Sequence, residues 1–192
     1  AMDIWTGDAW NLCEHDAENI AVEEDWVYFT SPQTLYRMKT DGTQLEEWNE
    51  ESWTYAYSME ITDGLIYMYM TDTPSEDGEV STGWLCEANP QNRTFRELPI
   101  AFPAPPEYGQ MQAEDGWLYF VADNPSPVTF GGTQFSGVLL RASLEDYHVE
   151  RISDENIEAF FVCGDTAFCM KDGEAVKYSI SQSAEEISPH SP

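Results

Sequence analysis

A short pattern recurs along this chain: an acidic or glycine turn followed by an aromatic, fully apolar segment. It reads EDWVYF at residues 24–29, DGLIYM at residues 63–68 and DGWLYF at residues 115–120, and a weaker copy, GDTAFC, occupies residues 164–169. The copies follow one another at intervals of roughly 40–50 residues, a period typical of repeated supersecondary units that stack on their neighbours. A chain with this period is expected to fold as an array of β units.

Each copy lies within a longer unit in which apolar segments alternate with turn residues. In the first unit, residues 19–22, 26–30, 34–39 and 44–48 are predicted strands, and Asp41-Gly42 is a strong hairpin turn. Four short antiparallel strands form the pattern of a propeller blade. The sequence therefore predicts an all-β fold of about four blade-like antiparallel four-stranded units, a β-propeller or a partial propeller, with units at about 19–48, 54–98, 109–152 and 157–187.

The 192 residues fit a single domain. Residues 2–13 resemble only the last hairpin of a blade, and two interpretations of them are open. Either this segment closes a ring by adding a strand to the last unit, or the chain is cut from a larger array. The second interpretation is favoured because residues 185–187 already supply the fourth unit with an outer strand. The opening Ala1-Met2 looks like a cloning scar, which leaves room for a removed leader.

The charge of the chain restricts its partners. It carries 36 acidic residues against 8 basic ones, a net charge of -28. Such a field repels nucleic-acid backbones and anionic membrane surfaces, so neither is an expected partner. The acidity serves solubility and keeps sheet edges apart, or it attracts a basic protein or divalent cations. The longest strongly apolar run, residues 65–70, is far shorter than a membrane span.

The tryptophans divide into two groups. Trp26 and Trp117 recur at one position of the repeat, as do Tyr28 and Tyr119 two residues later, and both sides of these strands are apolar. Recurrence at one blade position indicates packing, so we expect all four side chains in the core between sheets. The remaining candidates occur once each outside the repeat, and they are predicted to form an exposed ligand-binding patch: Trp48, Trp53 and Trp84.

No pattern in the sequence indicates catalysis. The histidines, His15, His148 and His190, have no obvious nucleophile beside them, and there is no phosphate-binding glycine loop. With so many carboxylates, pairs of acids carry no information about glycosidase chemistry. Residues 72–79 offer closely spaced oxygen ligands for Ca²⁺ but lack the twelve-residue loop pattern, so a solvated acidic loop is favoured. No catalytic residue, metal site or cofactor is therefore predicted.

The four cysteines, Cys13, Cys86, Cys163 and Cys169, contain no C-x-x-C pair. If Gly164-Asp165 is the turn, Cys163 faces Thr166 and Cys169 faces Phe160, so these two thiols are out of register for a disulfide. Buried free thiols are the expected state.

The units resemble the six-bladed Tyr-Trp-Thr-Asp propeller repeats and, more closely, related bacterial surface-protein and lipoprotein repeats. The resemblance rests on WVYFTS at residues 26–31 and LYRMKTDG at residues 35–42, and on GWLYF at residues 116–120 and LLRAS at residues 139–143. It covers most of residues 19–152, although Asp-Gly after the third strand occurs only in the first unit. The resemblance implies a non-catalytic module, extracellular or at a bacterial cell surface, that binds a protein or a glycan.

An intracellular, cytoplasmic role is the alternative. There the acidic surface would neutralise a basic toxin or enzyme by charge complementarity. Binding to such a partner would weaken steeply with salt.

Overall fold

A computed structural model of the chain describes residues 11, 13–31, 34–48, 55–71, 83–102, 111–122, 128–130, 133–135, 137–153 and 156–187. The described part is all-β apart from one short helix, as the sequence predicts. The first sheet has the order β1-β2-β3-β4. Its strands are β1 (Asn19–Glu23), β2 (Trp26–Ser31), β3 (Thr34–Lys39) and β4 (Glu46–Glu47).

The second sheet repeats this antiparallel meander in chain order. Its strands are β5 (Tyr55–Thr62), β6 (Leu65–Thr71), β7 (Gly83–Asn89) and β8 (Thr94–Phe102).

The third sheet begins with β9 (Met111–Glu114) and β10 (Trp117–Ala122). A separate hairpin of β11 (Val128–Phe130) and β12 (Thr133–Phe135) intervenes, and then β13 (Val138–Ser143) and β14 (Val149–Arg151) complete the meander.

The fourth sheet has three strands, β15 (Ala159–Cys163), β16 (Thr166–Lys171) and β17 (Glu174–Ser179). The chain then forms α1 (Ile180–Ser183) and β18 (Glu185–Ile187).

The placement of β18 corrects the sequence analysis. Residues 185–187 were expected to be the outer strand of the fourth unit, but β18 pairs antiparallel with β14 and becomes a fifth strand of the third sheet. The cause is α1, whose Ile180 is buried between the third and fourth sheets and whose single turn redirects the chain after β17. The fourth sheet thus has three strands in the described part of the chain, and both interpretations of residues 2–13 stay open. Residues 2–10 and 12 lie outside the described residues.

The four repeated turns occupy equivalent positions, each between the first and second strands of a sheet. In the second and third sheets both turn residues have positive φ: 52° and 74° at Asp63 and Gly64, 50° and 77° at Asp115 and Gly116. Two consecutive residues of this kind give the hairpin a twist that matches its strands. The acidic-glycine pattern is therefore a turn requirement.

The sheets pack face to face, with the first strand of each sheet beside the first strand of the next: β1 by β5, β5 by β9, and β9 by β15. Three apolar cores fill the spaces between successive sheets. Tyr28 packs with Met59 and Met68 of the second sheet. Tyr67 packs likewise with Met111 of the third sheet, and Tyr119 with Phe160 of the fourth. This arrangement is consistent with a partial β-propeller.

The aromatic residues of the second strands fall into two classes. Tyr28 and Tyr119 are buried, as the sequence predicts. Trp26 and Trp117 also pack against the cores between sheets, as expected, but both indoles are only half-buried. Each is the first residue of its strand, beside the turn, where it packs against the core and has a long cationic side chain over its ring.

The thiols follow the predicted register. Cys163 pairs with Thr166 and Cys169 with Phe160, and the four cysteines are free. Burial raises the pKa of Cys86 and of Cys169 to about 11. Cys163 is exposed, against the expectation of a buried thiol. Within the described ranges, no helix has the length and apolar character needed to cross a bilayer.

Candidate functional site

One end of the array gathers the turns of all four sheets. The carboxylate of Glu23 accepts a hydrogen bond from Gly64 N–H of the second sheet at 3.0 Å, and that of Glu114 accepts one from Gly164 N–H of the fourth sheet at 2.7 Å. The guanidinium of Arg96 lies 5.7 Å from the ring of Tyr147 and joins the second sheet to the third. We call this end the turn face; it comprises residues 23–25, 40–45, 62–64, 89–93, 114–116, 143–148 and 163–165.

A ladder of polar side chains crosses the first sheet just below the turn face. Tyr28, Arg37 and Glu46 stand opposite one another on β2, β3 and β4. Arg37 donates to Glu46 from Nε at 2.9 Å and from Nη2 at 2.7 Å, and its Nη1 donates to the carbonyl of Pro90 in the second sheet at 3.2 Å. Arg93 of that sheet also reaches Glu46, at 2.8 Å. The ladder therefore fastens the first sheet to the second.

The third sheet repeats the ladder with Tyr119, Arg141 and Glu150 in the same register. Arg141 donates to Glu150 from Nε at 2.6 Å and lies 3.5 Å from the hydroxyl of Tyr119. Charge-assisted forks of this kind fix an arginine in one geometry.

The second sheet holds the same three residue types with the charges exchanged. Tyr67, Glu87 and Arg96 stand opposite one another, and Arg96 donates to Glu87 at 2.8 Å. Burial, followed by the charge of Glu87, raises the pKa of Tyr67 to about 12.

The half-buried tryptophans lie under the cations of these ladders. Arg37 and Lys39 sit 4.6 and 4.1 Å from the ring centre of Trp26. Arg141 sits 3.8 Å from that of Trp117. Positive charge over an indole face is attractive. These cations are already engaged, so they leave the carboxylates of the turn face largely unneutralised.

Exposed carboxylates line the turn face at every sheet. Hydrogen bonds from Thr43 lower the pKa of Asp41, and those from the backbone and hydroxyl of Ser181 lower the pKa of Asp165. The Ser143 hydroxyl and His148 hold the pKa of Asp146 at about 2. These three groups are ionised at neutral pH. Further exposed acids of the same face are Glu24, Asp25, Asp63, Asp115 and Glu145.

The three predicted ligand-binding tryptophans do not form one exposed patch. Trp48 is 4% exposed, so the expectation of its exposure is wrong. It follows the two-residue strand β4, and its backbone N–H donates to the Leu35 carbonyl at 2.9 Å. Its ring packs 5.2 Å from the ring of Phe95 of the second sheet. Trp84 is half-buried against the same core. Trp53 lies outside the described residues.

The ladder residues were missed by sequence reasoning, although a signal for them exists. An arginine and a glutamate recur nine residues apart, Arg37 with Glu46 and Arg141 with Glu150. This spacing belongs to opposed positions on neighbouring strands of a hairpin with a short connection.

The two described histidines, His15 and His148, pack against aromatic rings. His15 stacks on Tyr36 with ring centres 4.6 Å apart. The ring of His148 meets Trp117 edge-on at 5.0 Å and lies 2.5 Å from a carboxylate oxygen of Asp146, which raises the pKa of this histidine. His190 and the acidic loop 72–79 lie outside the described residues. Among the residues that are described, no three His, Cys, Asp or Glu side chains converge on a common metal position.

Comparison with known proteins supports the propeller-like fold but does not identify a family. No family model matches the chain, and no curated protein matches it. Among solved structures, it resembles a chain of the nidogen/laminin complex (TM-score 0.61, 11% identity, 100% of this chain and 70% of that one). It also resembles the computationally designed Ika4 protein (TM-score 0.57, 10% identity, 90% and 99%).

The structure of YjhT is similar too, with a TM-score of 0.56 and 12% identity over 90% of this chain; the chain spans 65% of that protein's length. These neighbours include propeller-like folds. At such low identity the likeness establishes a propeller-like arrangement of sheets.

Proposed function

We propose that this protein is a non-catalytic interaction module whose turn face binds a cationic surface of a protein partner. The observation that carries the proposal is the composition of that face. Eight of its carboxylates are exposed, and among the described residues Asp146 is the one of these eight that forms an ion pair, with His148. Arg37 and Arg141 beside the face are instead paired with glutamates and stacked on tryptophans. An array of unpaired charges of one sign steers a partner of the opposite sign and sets which partners are accepted.

The similarity to solved structures with propeller-like folds supports a binding role, and it does not point to a particular ligand. The resemblance of the repeats to bacterial surface and lipoprotein repeats favours a location at a bacterial cell surface. The acidic surface equally suits the alternative, an intracellular protein that neutralises a basic toxin or enzyme. A protein ligand is favoured over a glycan because Trp48, which would have served a sugar-binding patch, is buried.

The test uses a small basic globular protein, lysozyme, as the probe, with duplex DNA as the polyanion control. Binding to lysozyme is measured at low salt and again at about 0.5 M salt, where exposed charges are screened within a few ångströms. We expect binding that disappears at high salt. Micromolar binding to DNA at low salt would overturn the proposal.

A matched pair of variants locates the site. Asp63→Asn with Asp115→Asn removes two charges from the turn face and keeps residues that tolerate positive φ. Asp172→Asn with Glu174→Gln removes two charges from the β16–β17 turn, which lies at the opposite end of its sheet. The first pair is expected to weaken lysozyme binding about tenfold and the second by less than about twofold. Equal losses would show that net charge alone acts and that the turn face is not the site.

A further inference from the structure

The first and the fourth sheet each expose apolar side chains on the side that faces away from the other sheets. On the outer side of the first sheet, Ile20 and Val22 of β1 are 62% and 57% exposed. On the outer side of the fourth sheet, Phe161 and Phe168 are 60% and 49% exposed, and Met170 is exposed as well. We call the first the leading face and the second the trailing face. Exposed patches of large apolar side chains mark interaction surfaces.

Strand register indicates which kind of surface each face would contact. Ile20 occupies the position that Met59, Met111 and Phe160 occupy on the first strands of the other sheets. Each of those three packs against the preceding sheet. The leading face is therefore one half of the interface that recurs between sheets, and no sheet formed by the described residues packs against it.

The trailing face is the other half. Phe168 occupies the position of Tyr28, Tyr67 and Tyr119, each of which is buried against the following sheet. Opposite Phe168 stands Lys177, at the position of Arg37 and Arg141. The core between the first and second sheets holds both Tyr28 and Met59, the next core holds Tyr67 and Met111, and the third holds Tyr119 and Phe160. The remaining pair in this series is Phe168 with Ile20.

We propose that two copies of this chain associate head to tail, the trailing face of each covering the leading face of the other. The contact joins two different surfaces, so it is heterologous, and two such contacts close a ring when a two-fold axis relates the copies. Eight sheets result, within the range of about four to eight blades of propellers. On this side of the first sheet, Cys13 packs against residues of β2 and β3, and His15 stacks on Tyr36 of β3. The contact is therefore made by Ile20 and Val22 of β1.

Charge gives this association a distinctive salt dependence. Each copy carries a net charge of -28, so the copies repel one another at long range. Salt screens that repulsion and strengthens apolar contact, so dimerisation is expected to increase with ionic strength. Binding of a cationic partner to the turn face changes in the opposite direction.

Sedimentation equilibrium of the 192-residue chain at low and high salt tests the proposal, together with single variants of each face. Phe168→Glu and Ile20→Glu are each expected to weaken dimerisation at least about 30-fold, as loss of a central apolar anchor does. Leu45→Glu changes the charge equally at an exposed apolar residue outside both faces and is expected to leave dimerisation unchanged. Because these side chains are exposed, circular dichroism should report an unaltered fold in each variant.

A mixture of the two defective variants gives the decisive result. The Phe168→Glu chain keeps its leading face and the Ile20→Glu chain keeps its trailing face, so together they should form a heterodimer that neither forms alone. That heterodimer is weaker than the native dimer because it has one intact contact. A monomer at about 100 μM protein and about 0.5 M salt overturns the proposal. So does a dimer that Phe168→Glu abolishes and Ile20→Glu leaves intact, which would be a symmetric contact between trailing faces.

Discussion

At the scale of single residues, one position on the first strand of each sheet is occupied by side chains of different charge. Gln112 of β9 bridges to the fourth sheet, where its amide donates to the Val162 carbonyl and accepts from the Val162 N–H, both at 2.7 Å. Glu60 occupies the same position on β5, and burial raises its pKa. An ionised carboxylate there opposes folding, because burial disfavours the charged form.

Glu60→Gln is therefore expected to stabilise the protein at neutral pH. The penalty of the native glutamate is absent below the pKa of the unfolded chain, grows as pH rises from that value, and is complete above the raised pKa of the folded state. The gain from the substitution should be a few degrees in melting temperature near pH 7, as about 1 kcal/mol gives in a chain of this size. It should shrink as pH falls towards about 4.

Thermal melting across this pH range is the measurement, and the exposed Glu174→Gln, which removes the same charge, is the control. A gain that is equal for both variants, or that does not change with pH, would contradict the assigned cause.

At the scale of elements, the ladder of the third sheet predicts a coupled pair. The indole of Trp117 is half-buried under Arg141, so Trp117→Ala should cost about 2–3 kcal/mol, less than the about 3–5 kcal/mol of a fully buried tryptophan. A double-mutant cycle with Arg141→Met should give a coupling of about 0.5–2 kcal/mol for a cation over an indole face.

Urea unfolding of the single and double variants measures this coupling. Arg93→Met, on the exposed turn of the second sheet, is the control and should show no coupling to Trp117. Additive losses for Trp117 and Arg141 would mean that the arginine stabilises the sheet through its polar partners Glu150 and Tyr119 and not through the indole.

The same elements show what the sequence could predict. Apolar strand patterns and the turns beside them were sufficient to locate β3 and β10, because their signals are local. The partner of β18 was not predictable, because α1 decides it and a single helical turn leaves no periodic trace. The prediction that Trp48 is exposed failed for a related reason. Its burial depends on contact with Phe95 of the next sheet, and no local sequence pattern indicates that contact.

At the scale of the whole molecule, the net charge of -28 should make stability depend on salt. Two effects compete. Screening weakens the ion pairs of Arg37, Arg96 and Arg141, each worth about 0–1 kcal/mol when exposed. Screening also relieves repulsion among 36 acidic residues, most of which have no cation beside them because the chain has only 8. The second effect involves many more charges, so we expect salt to stabilise the fold.

The Phe168→Glu variant gives the clearest test of this prediction, because head-to-tail association, which it disrupts, cannot then contribute to the melting temperature. Its melting temperature should rise by several degrees between about 10 mM and about 0.5 M salt, as the screening length falls from about 30 Å to a few ångströms. The rise should be the same with NaCl and KCl and should not change with protein concentration. In the native chain, a further rise that does depend on concentration would report dimerisation. A melting temperature that falls with salt in the variant would mean that the arginine ladders, and not repulsion among the acids, dominate the electrostatics of this fold.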